Sequence, residues 1–272
     1  MIDKITVIYN YWATNYKCPH KRLYLAKFFI VSKVTPYKDS ELGKKEQVTK
    51  MFDNISKEYD GLNRVISFGI DVSWRKKVVA LVDKTQPHSI LDIATGTGDL
   101  AIQLASSTQA KDIVGLDISE GMLEVGRKKV TQKQLDNKIK LVLGDSENLP
   151  FEDDTFDAIT VAFGVRNFEN LEKGLAEIYR VLKPGGIFVI LETSVPTKTP
   201  FKQGYKLYTN NIMPLIGKVF SKDRSAYRYL SDSASVFPYG EVLNNILRKI
   251  GFIDVNDLPQ TMGVATIYTS SK

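Results

Sequence analysis

The stretch ILDIATGTGDL, residues 90–100, decides the fold class of this sequence. It is an apolar run of strand length followed by two glycines, Gly96 and Gly98, at the start of a helix-like segment. Glycine lets the backbone approach a ligand closely, and the first turn of a helix offers free N–H donors. The next strand-like run ends in Asp117, where a carboxylate can bind both hydroxyls of a ribose. The sequence therefore predicts an adenosine-binding α/β fold.

Strand-like and helix-like segments alternate on both sides of this stretch. The apolar runs lie at residues 90–93, 113–116, 139–143, 158–163 and 187–191, and the helix-like segments between them lie at 99–108, 119–132 and 170–182. Such alternation predicts a parallel sheet covered by helices on both faces. A helix at 240–250 and two closely spaced strands at 252–257 and 263–269 complete a seven-stranded sheet, and the final hairpin makes one strand antiparallel.

The segments before residue 90 are expected to form a helical cap, residues 44–84. Apolar residues step at helical spacing from Val48 to Tyr59, where the pair Asp60-Gly61 is predicted to end the helix, and another helix is expected over 72–83. Residues 1–43 are interpreted as a leader that is disordered or results from a misassigned start, because residues 1–33 show no clear periodicity. The remainder, residues 44–272, is expected to be one domain.

Composition excludes several classes of function. The net charge is +6, but residues 1–50 hold ten Lys/Arg against four Asp/Glu, so the rest of the chain is balanced. A balanced domain is not expected to bind nucleic acid. A single cysteine, Cys18, and two histidines predict no internal disulfide and no Cys/His metal site. No apolar run has the about 20 residues of a membrane-spanning helix, and a cytoplasmic protein is expected.

One insertion interrupts the alternation at residues 196–235. It carries seven Lys/Arg against two Asp, and an aromatic and aliphatic stripe at helical spacing, formed by Phe201, Tyr205, Tyr208, Ile212 and Met213. These properties suggest a lid over the substrate that also faces a membrane surface. The alternative is that the stripe packs on the edge of the sheet.

Two classes of cofactor fit the glycine turn. The spacing Gly96-x-Gly98-x-x-Ala101 also matches the nicotinamide dinucleotide fingerprint, which alone is a weak signal. The segments GDSENLPF, residues 144–151, and RVLKPGG, residues 180–186, instead resemble class I S-adenosylmethionine-dependent methyltransferases. That resemblance implies a Rossmann-like fold and cofactor contacts from Thr97, Asp117, Asp145 and Ser146. The glycine turn itself adds Asp92, Gly96 and Gly98 as candidate cofactor-binding residues. For Asp92, a purely structural role in the turn is the alternative.

Longer motifs resemble one family within that class. YDGLNRVISFGIDVSW, residues 59–74, and RVLKPGGIFVILETS, residues 180–194, look like the two signatures of the ubiquinone/menaquinone biosynthesis C-methyltransferases, and residues 163–168 and 227–230 resemble further blocks. The resemblance implies methylation of a ring carbon of a prenylated quinol. It favours demethylmenaquinol, with 2-methoxy-6-polyprenyl-1,4-benzoquinol, or both, as alternatives. The sequence departs from the family pattern at Leu62, Asp71 and Ala162.

The chemistry of such a reaction suggests which residues act on the substrate. A quinol carbon becomes nucleophilic when the neighbouring hydroxyl ionises, and no catalytic motif here contains histidine. Arg166 is the candidate cation beside the developing phenolate, Asn167 the candidate hydrogen-bond partner, and Tyr59 and Asp60 are expected to close the front of the pocket. Alternatively, Arg166 anchors its loop through a carboxylate such as Glu192.

The prenyl tail of such a substrate implies that the enzyme works at a membrane. Such a substrate stays in lipid, so the enzyme is expected to contact an anionic membrane surface transiently, at the inner face of the cytoplasmic membrane. The sequence leaves two functions of other classes as alternatives: a nicotinamide-dependent reductase and a non-catalytic module that binds S-adenosylmethionine.

Overall fold

Seven strands form one sheet in the computed structural model, which describes residues 34–212 and 223–272. The spatial order is β3-β2-β1-β4-β5-β7-β6. In chain order the strands are β1 (Ser89–Ile93), β2 (Asp112–Asp117), β3 (Ile139–Leu143), β4 (Phe156–Ala162), β5 (Leu182–Thr193), β6 (Ile253–Gln260) and β7 (Ala265–Ser271).

Helices precede, separate and follow these strands. They are α1 (Lys44–Ile55), α2 (Tyr59–Ser67), α3 (Ile70–Asp83), α4 (Asp99–Ser107), α5 (Glu120–Gln132), α6 (Leu171–Val181), α7 (Phe201–Leu207), α8 (Arg224–Val236) and α9 (Glu241–Ile250). Short 3-10 turns cover Val165–Asn167 and Thr261–Gly263, and a π-helical turn covers Tyr208–Ile212.

The sheet is parallel except at one strand. β1 pairs in parallel with both β2 and β4, while β7 pairs antiparallel with β5 and β6. The strand order reverses between β1 and β4, and ligands of open α/β sheets bind in the crevice at the carboxyl ends of strands at such a point. The predicted seven-stranded α/β fold with one antiparallel strand is therefore confirmed.

Two apolar layers cover the sheet. Helices α6 and α9 pack on one face through buried residues such as Leu175 and Leu247, and α3 and α4 pack on the other through residues such as Val78 and Leu104. This two-sided burial explains why the central strands read as continuous apolar runs. A third apolar cluster joins α1, α2, α5 and α8 above the carboxyl ends of the strands.

The cap differs from the sequence prediction at Asp60-Gly61. The pair does not end a helix but lies in the first turn of α2, after α1 has ended at Ile55. Glycine inside a helix costs about 1 kcal/mol, which tertiary contacts offset. Here the Leu62 side chain is buried in the third cluster and Asp60 forms an ion pair with Lys129.

Part of the expected leader packs against the domain. Tyr37 donates a hydrogen bond to the Asp223 carboxylate at 2.6 Å, and its backbone N–H donates to Gln47 at 2.9 Å. Residues 34–43 therefore differ from the expectation of disorder. The prediction for residues 1–33 lies outside the described residues.

Two further segments complete the comparison with the sequence. Residues 183–186, predicted as a turn before the fifth strand, lie inside β5 as an irregularity in its pairing with β4. The insertion at 196–235 contains α7, the π-helical turn and most of α8, and its Met213 lies outside the described residues. Among residues 34–212 and 223–272, no helix has the length and hydropathy to cross a membrane.

Candidate active site

An open pocket of about 680 Å³, including solvent-facing space, lies at the carboxyl ends of the parallel strands. Loops after β1, β2, β3 and β4 form its floor, and α1 and the start of α2 form its roof. The side chains and backbone that line it include Lys45, Phe52, Tyr59, Gly96, Asp117, Met122, Asp145, Ser146, Phe163, Asn167 and Phe168. The pocket therefore sits at the place where the strand order reverses.

The turn after β1 and the end of β2 hold one another through Asp117. The Gly96 backbone N–H donates to its carboxylate at 2.8 Å, and the Ser119 N–H donates at 2.9 Å. Gly96 has a φ of +57°, which favours glycine, and it lines the pocket without a side chain in the way. Burial raises the pKa of Asp117 to about 6, so its carboxylate is charged at neutral pH. The two backbone N–H donors fix the orientation of this carboxylate.

Asp92 has a structural setting beneath the same turn. It is buried, and its carboxylate accepts hydrogen bonds from the Thr95 and Thr160 hydroxyls at 2.6 and 2.7 Å. Burial raises its pKa to about 6. Asp92 does not line the large pocket but a smaller neighbouring cavity of about 360 Å³.

Gly164 allows the loop after β4 to lie directly on the turn after β1. A Cβ at this position would lie 2.5 Å from Ala94 Cβ and 2.9 Å from Val161 Cγ1, which is closer than real atoms approach. The close approach brings the 3-10 turn Val165–Asn167 against the pocket. Glycine is therefore required here by space and not by a positive φ.

Lysines from the start of α1 tie down the loops on both sides of the pocket. Lys45 Nζ lies 2.7 Å from Asp145 Oδ2 and 3.7 Å from Glu147 Oε2. Lys44 is buried, and its Nζ donates to the backbone carbonyls of Arg166 and Phe168 at 3.2 and 2.8 Å. Burial lowers the pKa of Lys44 to about 8. Helix α1 thus fixes the loop after β3 and the loop after β4 simultaneously.

Arg166 does not line the pocket but forms a buried ion pair beneath it. Its Nη1 lies 2.6 Å from Glu192 Oε1 and donates to the Phe163 carbonyl at 2.7 Å. The side chains of Arg166 and Glu192 are 7% and 0% exposed. The structure thus contains the loop-anchoring contact that the sequence left open as an alternative. Arg166 Nε and Glu192 Oε2 have no hydrogen-bond partner among the described residues.

Asn167 and Tyr59 face the pocket itself. Asn167 Oδ1 accepts a hydrogen bond from the Tyr229 hydroxyl at 3.2 Å, which connects the pocket to α8 of the insertion. Tyr59 packs edge-on against Phe52, with ring centroids 5.8 Å apart. Burial raises the pKa of both Tyr59 and Tyr229, so both phenols are protonated at neutral pH.

Asp60 connects the cap to the glycine turn and does not line the large pocket. Its Oδ1 accepts from the Thr97 hydroxyl at 2.6 Å, and its Oδ2 lies 2.8 Å from Lys129 Nζ. Lys129 also pairs with Asp99, which in turn pairs with Arg64 of α2. Asp60 and Thr97 line the smaller cavity. This network differs from the expectation that Asp60 closes the front of the pocket.

The predicted site residues thus divide into two groups. The residues around the large pocket are Tyr59, Gly96, Asp117, Asp145, Ser146 and Asn167. Those outside its lining are Asp60, Asp92, Thr97, Gly98 and Arg166, of which Gly98 begins α4 with a φ of +77°.

The sequence reasoning missed three residues that shape the pocket. Lys44 and Lys45 come just before the helical periodicity that marks α1, and their partners lie about one hundred positions later. Tyr229 lies in the block at residues 227–230, and no local pattern there indicates its contact with Asn167. A signal for Lys44 was available: its position begins an amphipathic helix, where a cation is disfavoured by the helix dipole.

The pocket fits an adenosine group. The ribose requires a carboxylate that accepts two hydroxyl hydrogen bonds, and Asp117 offers one at the end of β2. Asp145 offers carboxylate oxygens at the end of β3 as acceptors for an amino group. Apolar side chains supply the walls on which a purine packs: Leu116, Ile118, Met122 and Phe168. In the described part of the chain, no cluster of three or more His, Cys, Asp or Glu is placed to hold a metal ion.

Comparison with known proteins identifies relatives along most of the chain. The family model described as the ubiE/COQ5 methyltransferase family matches residues 40–272. A demethylmenaquinone methyltransferase of Bacteroides fragilis is 48% identical over 88% of this chain and 98% of its own length. A ubiquinone/menaquinone biosynthesis C-methyltransferase UbiE of Geobacter sulfurreducens is 43% identical over 93% of this chain and 98% of its own length.

Solved structures share the fold at low sequence identity. A putative S-adenosylmethionine-dependent methyltransferase of Methanococcus maripaludis superposes with a TM-score of 0.58 at 22% identity, over 86% of this chain and 96% of that chain. The [4+2]-cyclase SpnF superposes with a TM-score of 0.59 at 17% identity, over 84% and 96%. Because the second of these is a cyclase, such likenesses show the fold and not the reaction.

Proposed function

The chain belongs to the ubiE/COQ5 methyltransferase family, and from this premise we propose that it methylates the quinol ring of demethylmenaquinol to give menaquinol. The family predicted from the sequence is confirmed. With it the chain is an S-adenosylmethionine-dependent C-methyltransferase of quinone biosynthesis. The nicotinamide-dependent reductase and the non-catalytic module are therefore not proposed.

The observation that supports a naphthoquinol substrate is the 48% sequence identity with a demethylmenaquinone methyltransferase over 98% of that relative's length. A second relative of that name, from Porphyromonas gingivalis, is 43% identical over 98% of its length. Other relatives of 42–44% identity carry the broader ubiquinone/menaquinone name. For this reason methylation of 2-methoxy-6-polyprenyl-1,4-benzoquinol stays the second candidate.

We assign the methyl donor to the large pocket. S-adenosylmethionine, when bound, would supply an electrophilic methyl group: the bond from ring carbon to methyl forms as the methyl–sulfur bond breaks, S-adenosylhomocysteine leaves, and the ring carbon loses its proton to solvent as the ring regains aromaticity. Asp117 would accept hydrogen bonds from the ribose hydroxyls, and Asp145 and Ser146 would lie at the adenine. Gly96 has no side chain, so the cofactor would approach its backbone closely. Asp92, Thr97 and Gly98 would support the turn from below and behind.

The quinol would bind on the side of the pocket that faces the loop after β4. Asn167 offers its side-chain amide to a ring oxygen, held in place by the Tyr229 hydroxyl. Arg166 lies under this loop as a fixed buried cation, and its positive charge would stabilise a phenolate in the pocket without contacting it. Tyr59 would exclude water from above, and Asp60 would hold α2 closed through Thr97 and Lys129.

The substrate also sets where the enzyme works. A polyprenyl tail stays in lipid, so we propose a cytoplasmic enzyme that binds transiently to the anionic inner face of the cytoplasmic membrane. The basic insertion at residues 196–235, with seven Lys/Arg and two Asp, supports this proposal as a lid that also meets the headgroups.

Methyl transfer from labelled S-adenosylmethionine tests the function directly. Reduced demethylmenaquinone and the reduced methoxybenzoquinone precursor are offered side by side, with both oxidised quinones as controls. Label in the naphthoquinol alone is the expected result. Label in both rings makes the enzyme bifunctional and corrects the proposed specificity. Measurable binding of S-adenosylmethionine with no label in either ring overturns the substrate proposal.

A further inference from the structure

Three bulky apolar side chains project into solvent from different parts of the chain. Phe68 at the end of α2 is 73% exposed, Leu207 at the end of α7 is 64% exposed, and Met262 between β6 and β7 is 66% exposed. They are the three most exposed large apolar side chains among residues 34–212 and 223–272. Exposed apolar groups that gather in one place indicate a surface for binding.

The backbone holds two of these side chains outward at a cost. Phe68 has a φ of +51° and Met262 a φ of +58°, in the left-handed region that favours glycine or asparagine. A bulky residue held in this region costs about 1–3 kcal/mol. Neither residue recovers that cost by burying its side chain. A partner that buries these two side chains would offset that cost.

Contacts between the three segments place them on one side of the molecule. The Phe68 ring lies 5.9 Å from the ring of Tyr208, the neighbour of Leu207, and the Tyr208 hydroxyl donates to the Ile66 carbonyl at 2.6 Å. Trp74 of α3 donates from Nε1 to the Thr261 hydroxyl at 2.9 Å, which brings the start of α3 to the β6–β7 hairpin. We call Phe68, Leu207 and Met262 the apolar tips.

The same segments lead directly to the candidate active site. The Trp74 ring lies 6.2 Å from the ring of Phe163, which lines the large pocket. Tyr205, two residues before Leu207, lies near enough to Arg166 for the guanidinium to act on its phenol: burial raises the pKa of Tyr205, and Arg166 opposes that rise. The segments that carry the apolar tips therefore lie next to residues around the pocket.

Charge identifies the partner. The tip segment at residues 195–212 contains three lysines and no Asp or Glu, whereas the segment at 61–70 contains Arg64, which pairs with Asp71 and Asp99, and the segment at 258–267 has no charged residue. Lys198 and Lys202 are exposed one helical turn apart and form no ion pair within the described part of the chain. A surface of apolar tips and cations complements an anionic bilayer, where apolar groups enter the interface and cations meet headgroups. Two copies of such a surface would repel each other.

We propose that the apolar tips insert together into the surface of an anionic bilayer, with Lys198 and Lys202 at the headgroups, so that the pocket mouth opens onto the membrane. This deepens the proposed function, since it names the face through which a lipid-borne quinol reaches the site. The insertion at 196–235 supplies only one of the three tips, and the others belong to the cap and to the final hairpin.

Co-sedimentation with vesicles tests the proposal. The vesicles contain phosphatidylcholine with or without about a third of phosphatidylglycerol, and the protein is full length. Phe68→Asn and Met262→Asn remove apolar area and suit the left-handed backbone, so they do not threaten folding. Each is expected to lower the partition coefficient on anionic vesicles about fivefold. Ile253→Asn, which alters a residue 56% exposed at the start of β6, is the matched control and should leave binding unchanged.

The charge component has its own pair of variants. Lys198→Gln/Lys202→Gln should weaken binding to anionic vesicles about thirtyfold and remove most of its salt dependence, since each cation near the surface contributes about 1 kcal/mol. Lys128→Gln/Lys133→Gln, which alters exposed lysines at the end of α5, should change neither. Equal losses for the control pair would overturn the role of this face.

The outcomes separate this proposal from the proposed function. Methylation of a tail-free, water-soluble naphthoquinol should be the same in wild type and in Phe68→Asn, whereas methylation of prenylated quinol in vesicles should fall in the variant. Unchanged vesicle binding in both asparagine variants refutes the docking face even if the enzyme is active. A face that instead forms dimers, seen as a doubled mass by light scattering that Phe68→Asn abolishes, refutes it as well.

Discussion

Removing either partner of the buried pair Arg166–Glu192 should destabilise the protein in ways that differ with pH. Arg166→Met leaves a buried carboxylate, and Glu192→Gln leaves a buried guanidinium while keeping the oxygen that accepts from the Thr193 N–H at 2.8 Å. Breaking a buried ion pair on one side costs about 3–5 kcal/mol, because the remaining charge has lost its compensation. Both single variants should lose stability of this order.

The loss of unfolding free energy depends on pH in one single variant and not in the other. A carboxylate left alone can take up a proton, which from the ordinary pKa of a glutamic acid costs about 4 kcal/mol near pH 7.5 and about 2 kcal/mol near pH 6. The deficit of Arg166→Met should therefore shrink as the pH falls over this range. A guanidinium cannot lose its proton, so the deficit of Glu192→Gln should stay constant.

The double variant Arg166→Met/Glu192→Gln contains no buried charge at this place. It should return to within about 1 kcal/mol of wild type, which gives a strongly non-additive double-mutant cycle. Turnover should nevertheless stay lost in the double variant while S-adenosylmethionine still binds, because the cation beneath the quinol is missing. Stability restored together with turnover would mean that Arg166 only anchors its loop.

Urea unfolding followed by circular dichroism at both pH values gives the free energies, and labelled methyl transfer gives the turnover. Exposed Arg127, which pairs with Glu120 on the surface, provides the control variant Arg127→Met, whose loss should stay below about 1 kcal/mol at either pH. The reasoning fails if Arg166→Met is equally destabilised at both pH values, or if the two single losses add in the double variant.

Three further changes should follow from the site geometry. Gly164→Ala forces a methyl group against Ala94 and should cost about 3 kcal/mol of unfolding free energy and most of the turnover, measured by the same unfolding and transfer assays. Burial raises the pKa of Asp117 to about 6, so if only the carboxylate binds ribose, calorimetry should show the dissociation constant of S-adenosylmethionine rising about tenfold from pH 7.5 to pH 5; a constant value contradicts that role. Lys44→Met leaves two buried carbonyls unpaired and should lower turnover much more than cofactor affinity, whereas Lys50→Met on the exposed side of α1 should change neither.

The sequence predicted the sheet because its information is local. Apolar runs, glycine turns and helical spacing are properties of neighbouring residues, and they placed Asp117, Asp145 and the final hairpin correctly in the fold. The prediction that Asp60-Gly61 ends a helix was wrong because it used only neighbouring residues. Contacts of α2 with α5 and with the glycine turn outweigh the cost of one glycine, and no local pattern contains them.

The polar contacts of the site were less predictable, for a related reason. Lys44 meets residues more than 120 positions away, and Arg166 meets Glu192 across two neighbouring strands. Such partners depend on the register of β4 against β5 and on how the cap docks. The sequence could name Glu192 only as one possible carboxylate. The separation of Asp60 and Thr97 from the large pocket likewise arises from the position of α2 in three dimensions.

The position of β7 has a consequence for how the chain is made. β7 lies between β5 and β6, and it supplies the hydrogen-bonding partner for both. During synthesis β5 and β6 emerge first, and each presents an unpaired edge until residues 265–271 arrive. A nascent chain that pauses before residue 265 would therefore expose unpaired backbone N–H and C=O groups on both β5 and β6. Chaperone binding to the nascent chain should concentrate at this point, and truncation there should favour aggregation over partial activity.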